Sequence, residues 1–134
     1  MKDWGFITQH RATSLEQRKS EAKTQLKRED KDVYPIIVEL YGERSKKLGM
    51  HRHKFSISGD ATLAGVLMVV RKHANPKIHE SEALTGFSLS FPNAQEEPTQ
   101  TLLCMNSTVS QVYDRHKSDD GLLYLLWCVE NVFG

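Results

Sequence analysis

The sequence has 134 residues, with 18 Lys+Arg against 17 Asp+Glu and a formal net charge of +1, which is the size of one domain. Its 39% hydrophobic and 26% charged residues are those of an ordinary globular protein, and a chain this long buries about two thirds of its unfolded surface without disulfide staples. No apolar run reaches the ~18–20 residues of a membrane span, and the near-zero charge hides an asymmetry: residues 1–54 carry 13 Lys+Arg against 8 Asp+Glu, residues 55–134 carry 5 against 9. The basic first part suits an anionic partner such as an acidic peptide or a phospholipid. No RNA-binding or transcription-factor signature accompanies it, so nucleic acid is not an expected partner.

Residues 1–13 mix polar and aromatic types without a period and read as a flexible arm. They are too polar for a signal peptide, so a cytoplasmic protein is expected. Residues 14–134 read as a single domain. Helix formers fill 14–29, Ser14 and Gln17 fit a capping box, and Leu15, Ala22 and Leu26 give one narrow apolar stripe, so this helix lies on the body rather than inside it. The β-branched run VYPIIVEL (33–40) predicts a strand with Pro35 near its entry. HRHKFSIS (51–58) alternates, with Phe55 and Ile57 on one face, and completes a hairpin. GDATLAGVLMVVRKHANP predicts the central helix, capped by Asp60 or Thr62, with Leu63, Val66, Leu67 and Val70 on its buried face and a stop at Asn75-Pro76. GFSLSFPN (86–93) alternates with Phe87, Leu89 and Phe91 inward and Ser88 and Ser90 outward. An exposed loop NAQEEPTQ, a short strand TLLCM, a capped helix NSTVSQVYDRHK and a turn SDDG lead to the last strand, Leu122 to Val129, and the tail 130–134. The order of helix, then β-β-α-β-β-α-β, is an α+β roll in which one sheet wraps a helix.

Chemistry-bearing motifs are absent. There is no glycine-rich phosphate loop, Cys-x-x-Cys pair, nucleophile elbow or His-Glu-x-x-His, so an enzyme is not expected. His51 and His53 share a strand face, but two ligands are not a metal site and Arg52 and Lys54 repel cations. His73 and His116 read as solvent-facing, Asp119-Asp120 as turn formers, and Cys104 and Cys128 as buried reduced thiols. Two features remain. Strand 51–58, if it is an edge, either accepts an extended peptide as a further strand or simply carries basic residues that blunt the edge. The chain also runs a core strand almost to Gly134; either that end is incidental, or the Gly134 carboxylate is itself the reactive group.

The segments LEQRKSEA, YPIIVE, HKFSISGDATLAGVLMVVRKH and VSQVYDRHKSDDGLLYLLWCVENVFG resemble the autophagy ubiquitin-like modifiers of the GABARAP and light-chain-three type. The resemblance covers roughly residues 15 to 134, apart from an insertion near 92–103. It implies a ubiquitin-like β-grasp roll with an added N-terminal helical segment. It implies that the Gly134 carboxylate is adenylated by an activating-type enzyme using ATP, passed through thioesters to a conjugating-type enzyme, and joined by an amide bond to phosphatidylethanolamine. The chain itself then needs no cofactor, and it resides on the autophagosome membrane when lipidated. Phe133 matches the aromatic read by the family's processing and deconjugating cysteine protease.

The resemblance also implies strand addition of cargo-receptor peptides of the form aromatic-x-x-aliphatic. Glu21 matches the acid of the helix, Pro35 and Ile37 the first-strand pocket, and Lys54, Phe55, Ser56 and Ile57 the docking strand. Val66 and Val69 match the second pocket, Arg71 the basic position beyond it, and Leu122 an aromatic of the last strand. Ser56 stands where a leucine floors both pockets, a loss of about 1–3 kcal/mol of apolar contact. Ser58 replaces a proline, Ala61 a leucine, and Val33 a common arginine, so the groove is expected to be shallower and more polar. Two alternatives are a sister modifier joined to a protein lysine, whose tail carries Trp-Gly where Phe133-Gly134 stand here, and a non-conjugated cytoskeletal or trafficking adaptor.

Overall fold

The structure, a computed structural model, describes residues 3–27, 32–41, 49–75, 77–79 and 82–130. The elements are α1 (Phe6–Arg11), α2 (Leu15–Lys27), β1 (Val33–Tyr41), β2 (Gly49–Met50), β3 (Lys54–Ser58), α3 (Leu63–His73), β4 (Ala74–Asn75), β5 (Ala83–Ser90), β6 (Thr99–Leu102), α4 (Val109–His116) and β7 (Leu123–Glu130). Five strands form one sheet in the order β3-β1-β7-β5-β6, and β2 and β4 form a separate pair. β1 and β7 run parallel; the other neighbours in the large sheet are antiparallel. The last strand of the chain therefore sits at the centre of the sheet beside the first, the arrangement of a β-grasp roll.

The long apolar run at the carboxyl end follows from that position. Leu123, Leu125 and Trp127 enter one core with Leu63, Val66 and Val70 of α3 and Val109, Val112 and Tyr113 of α4. Leu122, Tyr124 and Leu126 enter a second core on the opposite face, with Trp4, Ile7 and Ala22 from the N-terminal segment. A central strand covered on both faces has no polar side to show, so its sequence reads as a continuous run rather than an alternation.

Four expectations need correction. Residues 3–13 are not a loose arm: Ile7 is wholly buried and Trp4 nearly so, because the second face of the sheet must be covered. Ser88 does not face water; it is fully buried, since β5 also lies between two layers. α2 docks through Ala22 and a buried Arg18, while Leu15 of the expected apolar stripe is exposed. Cys104 is exposed, because the edge strand β6 buries only Leu103 just beyond it, and Cys128 on β7 is half-buried. The caps came out as expected in two cases: Ser14 accepts from the Gln17 amide at 3.2 Å, and Thr108 forms a reciprocal capping box with Gln111. Thr62, rather than Asp60, caps α3, its side chain accepting from the Gly65 amide.

Gly86 marks a close approach. It is paired across the sheet with Trp127, and a Cβ there would lie 2.7 Å from the indole ring. Trp127 is wholly buried and has nowhere to move. Gly86→Ala is expected to lower stability by about 1–3 kcal/mol through overpacking, read as a lower urea midpoint with an unchanged slope.

Candidate functional site

Among the described residues β3 is an edge of the sheet, with β1 its one neighbour there. Register sets which of its groups are available. Lys54 lies opposite Ile37 and Ser56 opposite Pro35, while the Val38 amide donates to the His53 carbonyl at 2.8 Å. His53 belongs to a hydrogen-bonded pair, and by alternation Lys54 and Ser56 turn their N–H and C=O groups away from β1, onto the open edge. Pro35 costs no ladder bond here, because β1 pairs with β7 only from Ile36 onward.

The edge is dressed by its surroundings. Arg52 stacks over the Phe55 ring, 5.0 Å from its centroid, and its Nε donates to the Lys54 carbonyl at 2.7 Å. The Ser56 hydroxyl donates to the Gln25 side-chain oxygen of α2. Lys54 Nζ reaches Glu21 Oε1 of α2 at 3.3 Å. Two polar rungs, Lys54–Glu21 and Ser56–Gln25, thus span the gap between β3 and α2. On the other face, Phe55 packs against His73 of α3, ring centroids 5.2 Å apart.

The residues expected to line a peptide groove divide in two. Glu21, Lys54, Ile57, Val69 and Arg71 are half-buried and Ser56 is exposed. Pro35, Ile37, Phe55, Val66 and Leu122 are buried. Leu122 and Ile37 lie in the second core beneath α2, and Phe55 and Val66 in the first, so these four support the groove from below. Arg71 is turned toward its own chain, donating to the Glu82 carbonyl at 2.7 Å. Phe133 and Gly134 lie outside the described residues.

Sequence reasoning missed the polar cluster behind this edge. Asp120, its side chain wholly buried, accepts from Arg18 at 2.9 Å, from Arg11 at 3.1 Å, from the Tyr124 hydroxyl at 2.6 Å and from the Leu122 amide at 2.9 Å. Arg11 also donates to Asp119 at 2.6 Å and lies over the Phe91 ring. His10 joins this cluster to the edge: one ring nitrogen meets the Tyr124 hydroxyl at 3.0 Å, the other Glu21 Oε2 at 2.8 Å. The turn reading of Asp119-Asp120 stands, since Gly121 between them and β7 has φ +82°. The carboxylates in addition clamp both N-terminal helices. The only sequence signal was their mutual adjacency, and partners some 100 positions away leave no local pattern.

His51 is exposed, and His53 Nδ1 donates to the Val38 carbonyl at 2.9 Å while the ring stacks on Phe6 at 4.3 Å. Among the described residues no group of three His, Cys, Asp or Glu side chains is placed to hold a metal ion. His73 and His116 are half-buried rather than solvent-facing.

A β-grasp sheet whose second face is sealed by two N-terminal helices, with a basic edge strand, is a ubiquitin-like fold with a helical N-terminal extension. Residues 17–134 match the sequence model of the family described as autophagy protein Atg8, ubiquitin-like. An autophagy-related protein 8-like protein of Dictyostelium discoideum is 31% identical over 121 residues, 90% of this chain and 88% of that one. Autophagy-related protein 8d of Arabidopsis thaliana is 31% identical over 120 residues, covering 90% and 88%. The crystal structure of Trypanosoma brucei ATG8 superposes with a TM-score of 0.70 at 25% identity, covering 99% of this chain and all of that one. The chain belongs to the Atg8 family of autophagy ubiquitin-like modifiers.

Removing the central acceptor tests the clamp. Asp120→Asn leaves two buried guanidinium groups short of a charge and is expected to cost about 3–5 kcal/mol, measured by urea denaturation. The clamp also has a pH signature. Burial opposes ionisation of Asp119 and Glu21, but Arg11 and Arg18 hold Asp119 below the usual carboxylate range, and His10 and Lys54 do the same for Glu21. Depressed carboxylates stabilise the fold above their ordinary unfolded pKa, and that contribution fades as pH falls through the lower folded values. Amide exchange in α1 and α2 should therefore accelerate in acid before exchange in β7 does.

Proposed function

We propose that this chain is a lipid-conjugated modifier that works in autophagosome formation and recruits cargo or adaptors through its β3 edge. The observation that carries the conjugation reading is that the match to the family runs through the last residue, Gly134. The chemistry suits that residue. Gly134 has no Cβ to crowd attack on its carbonyl, so adenylation by an activating-type enzyme, transfer to a catalytic cysteine and final attack by the phosphatidylethanolamine amine all meet an unhindered acyl carbon. ATP and the nucleophilic cysteines belong to those partners. Phe133 is the residue a processing and deconjugating cysteine protease reads next to the glycine. No helix of the described residues is long and apolar enough to cross a membrane, so membrane residence at the autophagosome comes from the attached lipid, and the free form is cytoplasmic.

The second half of the reading, docking of aromatic-x-x-aliphatic peptides, is supported by the outward N–H and C=O groups of Lys54 and Ser56 and by their position between α2 and α3. Strand addition supplies main-chain bonds, and the flanking pockets supply selectivity. Glu21, Lys54, Ser56, Ile57, Val69 and Arg71 are the surface of this site; Pro35, Ile37, Phe55, Val66 and Leu122 support it. The polar rungs from Lys54 and Ser56 must open before an aromatic side chain enters, which makes the first pocket a poor aromatic acceptor.

Incubation with family activating and conjugating enzymes, ATP and phosphatidylethanolamine liposomes is expected to yield a lipid adduct that Gly134→Ala abolishes. No adduct with the wild-type chain would leave the adaptor reading in its place. Titration with an aromatic-x-x-leucine peptide is expected to give weaker than low-micromolar affinity. Ser56→Leu, which restores an apolar floor, is expected to tighten it by about tenfold, the lower part of what burying such a side chain supplies. Tight nanomolar binding by the wild-type chain would contradict the polar-groove reading.

A further inference from the structure

We infer that His10 is held as an imidazolium and that its proton tunes how readily Lys54 leaves Glu21 for an acidic ligand, so that peptide binding at the β3 edge is coupled to pH through a residue that touches no ligand. This rests on β3 being the docking edge and names how that edge is regulated.

Tyr124 has a single O–H, and at 2.6 Å it donates to Asp120 Oδ2, which also faces the Arg11 and Arg18 guanidinium groups. Burial and the adjacent Asp120 charge keep that phenol protonated far above its ordinary range. Toward His10, at 3.0 Å, the Tyr124 oxygen can then only accept. On the opposite side of the ring, 2.8 Å away, Glu21 Oε2 is a carboxylate oxygen and also only accepts. A ring with an acceptor on each nitrogen needs two N–H groups, which is the charged form. His10 is 5% exposed, so water does not substitute for either partner.

The groups packed around it complete the charge inventory. From its own helix come Phe6, stacked at 6.0 Å, and Arg11, which points to Asp119 and Asp120. α2 contributes Glu21 and, on the Asp120 side, Arg18. β7 contributes Tyr124. Behind Phe6 stand His53 and Glu39, 3.9 Å apart, and beyond Glu21 stands Lys54. Glu21 is thus shared: Oε2 belongs to His10 and Oε1 to Lys54.

That sharing gives the coupling its sign. A ligand carboxylate that draws Lys54 away leaves Glu21 dependent on His10 alone. The bound state then favours the proton on His10, so by linkage affinity rises as pH falls. With His10 neutral, Glu21 keeps Lys54 and the ligand must compete with it.

The test uses the full chain and a peptide with an acidic run ahead of an aromatic-x-x-leucine core, followed by NMR titration. Wild-type affinity is expected to be about threefold to tenfold higher near pH 6 than near pH 8. His10→Gln and Glu21→Gln should each remove most of that dependence, the second keeping the length of the side chain and an acceptor toward one of its two neighbours should the first fail to fold. Equal affinities at the two pH values, or an undiminished dependence in both variants, overturns the inference. Ring-nitrogen NMR of the peptide-free protein gives a separate readout. Loss of the His10 proton should coincide with a change in the Lys54 ammonium and Glu21 carboxylate signals. If no peptide binds at any pH, the docking reading fails, while that coincidence still upholds the relay and its absence overturns it.

Discussion

Asp120 gathers Arg11 of α1, Arg18 of α2 and the Tyr124 hydroxyl of β7 onto one wholly buried carboxylate. The cluster solves a problem set by topology. β7 is central, and half of its side chains face away from α3 and α4. Leu122, Tyr124 and Leu126, with Leu89 and Phe91 from β5 and its end, would be left against water unless another layer covered them. α1 and α2 are that layer. α1 has only six residues and α2 has few apolar ones, so burial of hydrocarbon alone holds them weakly. The ion cluster supplies direction: two guanidinium groups from two helices find their charge at one place, and only one docking of the helices provides it. A buried cluster of this kind contributes more to uniqueness of arrangement than to net stability, because desolvation offsets much of the Coulomb gain.

The opposite end of α1 is tied as well. Glu39 of β1 accepts from the Phe6 amide at 2.6 Å, and Phe6 stacks on His53 at the entrance to β3. The N-terminal helix therefore touches both β1 and the segment leading into the edge strand. α2 approaches the edge from the other side through Glu21 and Gln25. What happens at β3 is consequently not local to β3. Its ammonium, hydroxyl and one carbonyl are engaged by α2 and by Arg52, and the helices that engage them are themselves anchored at Asp120. A peptide docked at this edge as proposed would compete with an internal hydrogen-bonding set rather than enter a vacant groove, which is a different problem from filling an apolar pocket.

Much of the sheet was legible because strand and helix periods differ. The α3 pattern of Leu63, Val66 and Val70 emerged as its buried face, the β1–β3 pairing followed from two short β-rich runs, and the NSTVSQVYDRHK run is the capped helix α4. The first thirteen residues were illegible because a six-residue helix is shorter than two turns and shows no period; Trp4 and Ile7 are buried by what lies beneath them, not by a pattern of their own. Ser88 was misplaced because alternation marks one polar face only when one face meets water. In the site, the exposure of Ser56 could be read from strand alternation, but its rung to Gln25 could not. The same holds for Lys54 with Glu21.

By itself, the sequence determined the order and kind of α2 and of the main strands and helices after it, several caps, the continuous apolar strand at the carboxyl end and the alternation that makes β3 two-faced, but not α1 or the β2-β4 pair. These depend on neighbours within a few positions, where backbone geometry dictates which side chains share a face. Only the tertiary structure decided that β3 is an open edge, that α1 exists as a buried layer, and that His10 stands between Tyr124 and Glu21. Each of these joins residues tens of positions apart, and the energy that selects them, the pairing of buried charges and donors with acceptors, is defined only once the chain has closed and water is gone.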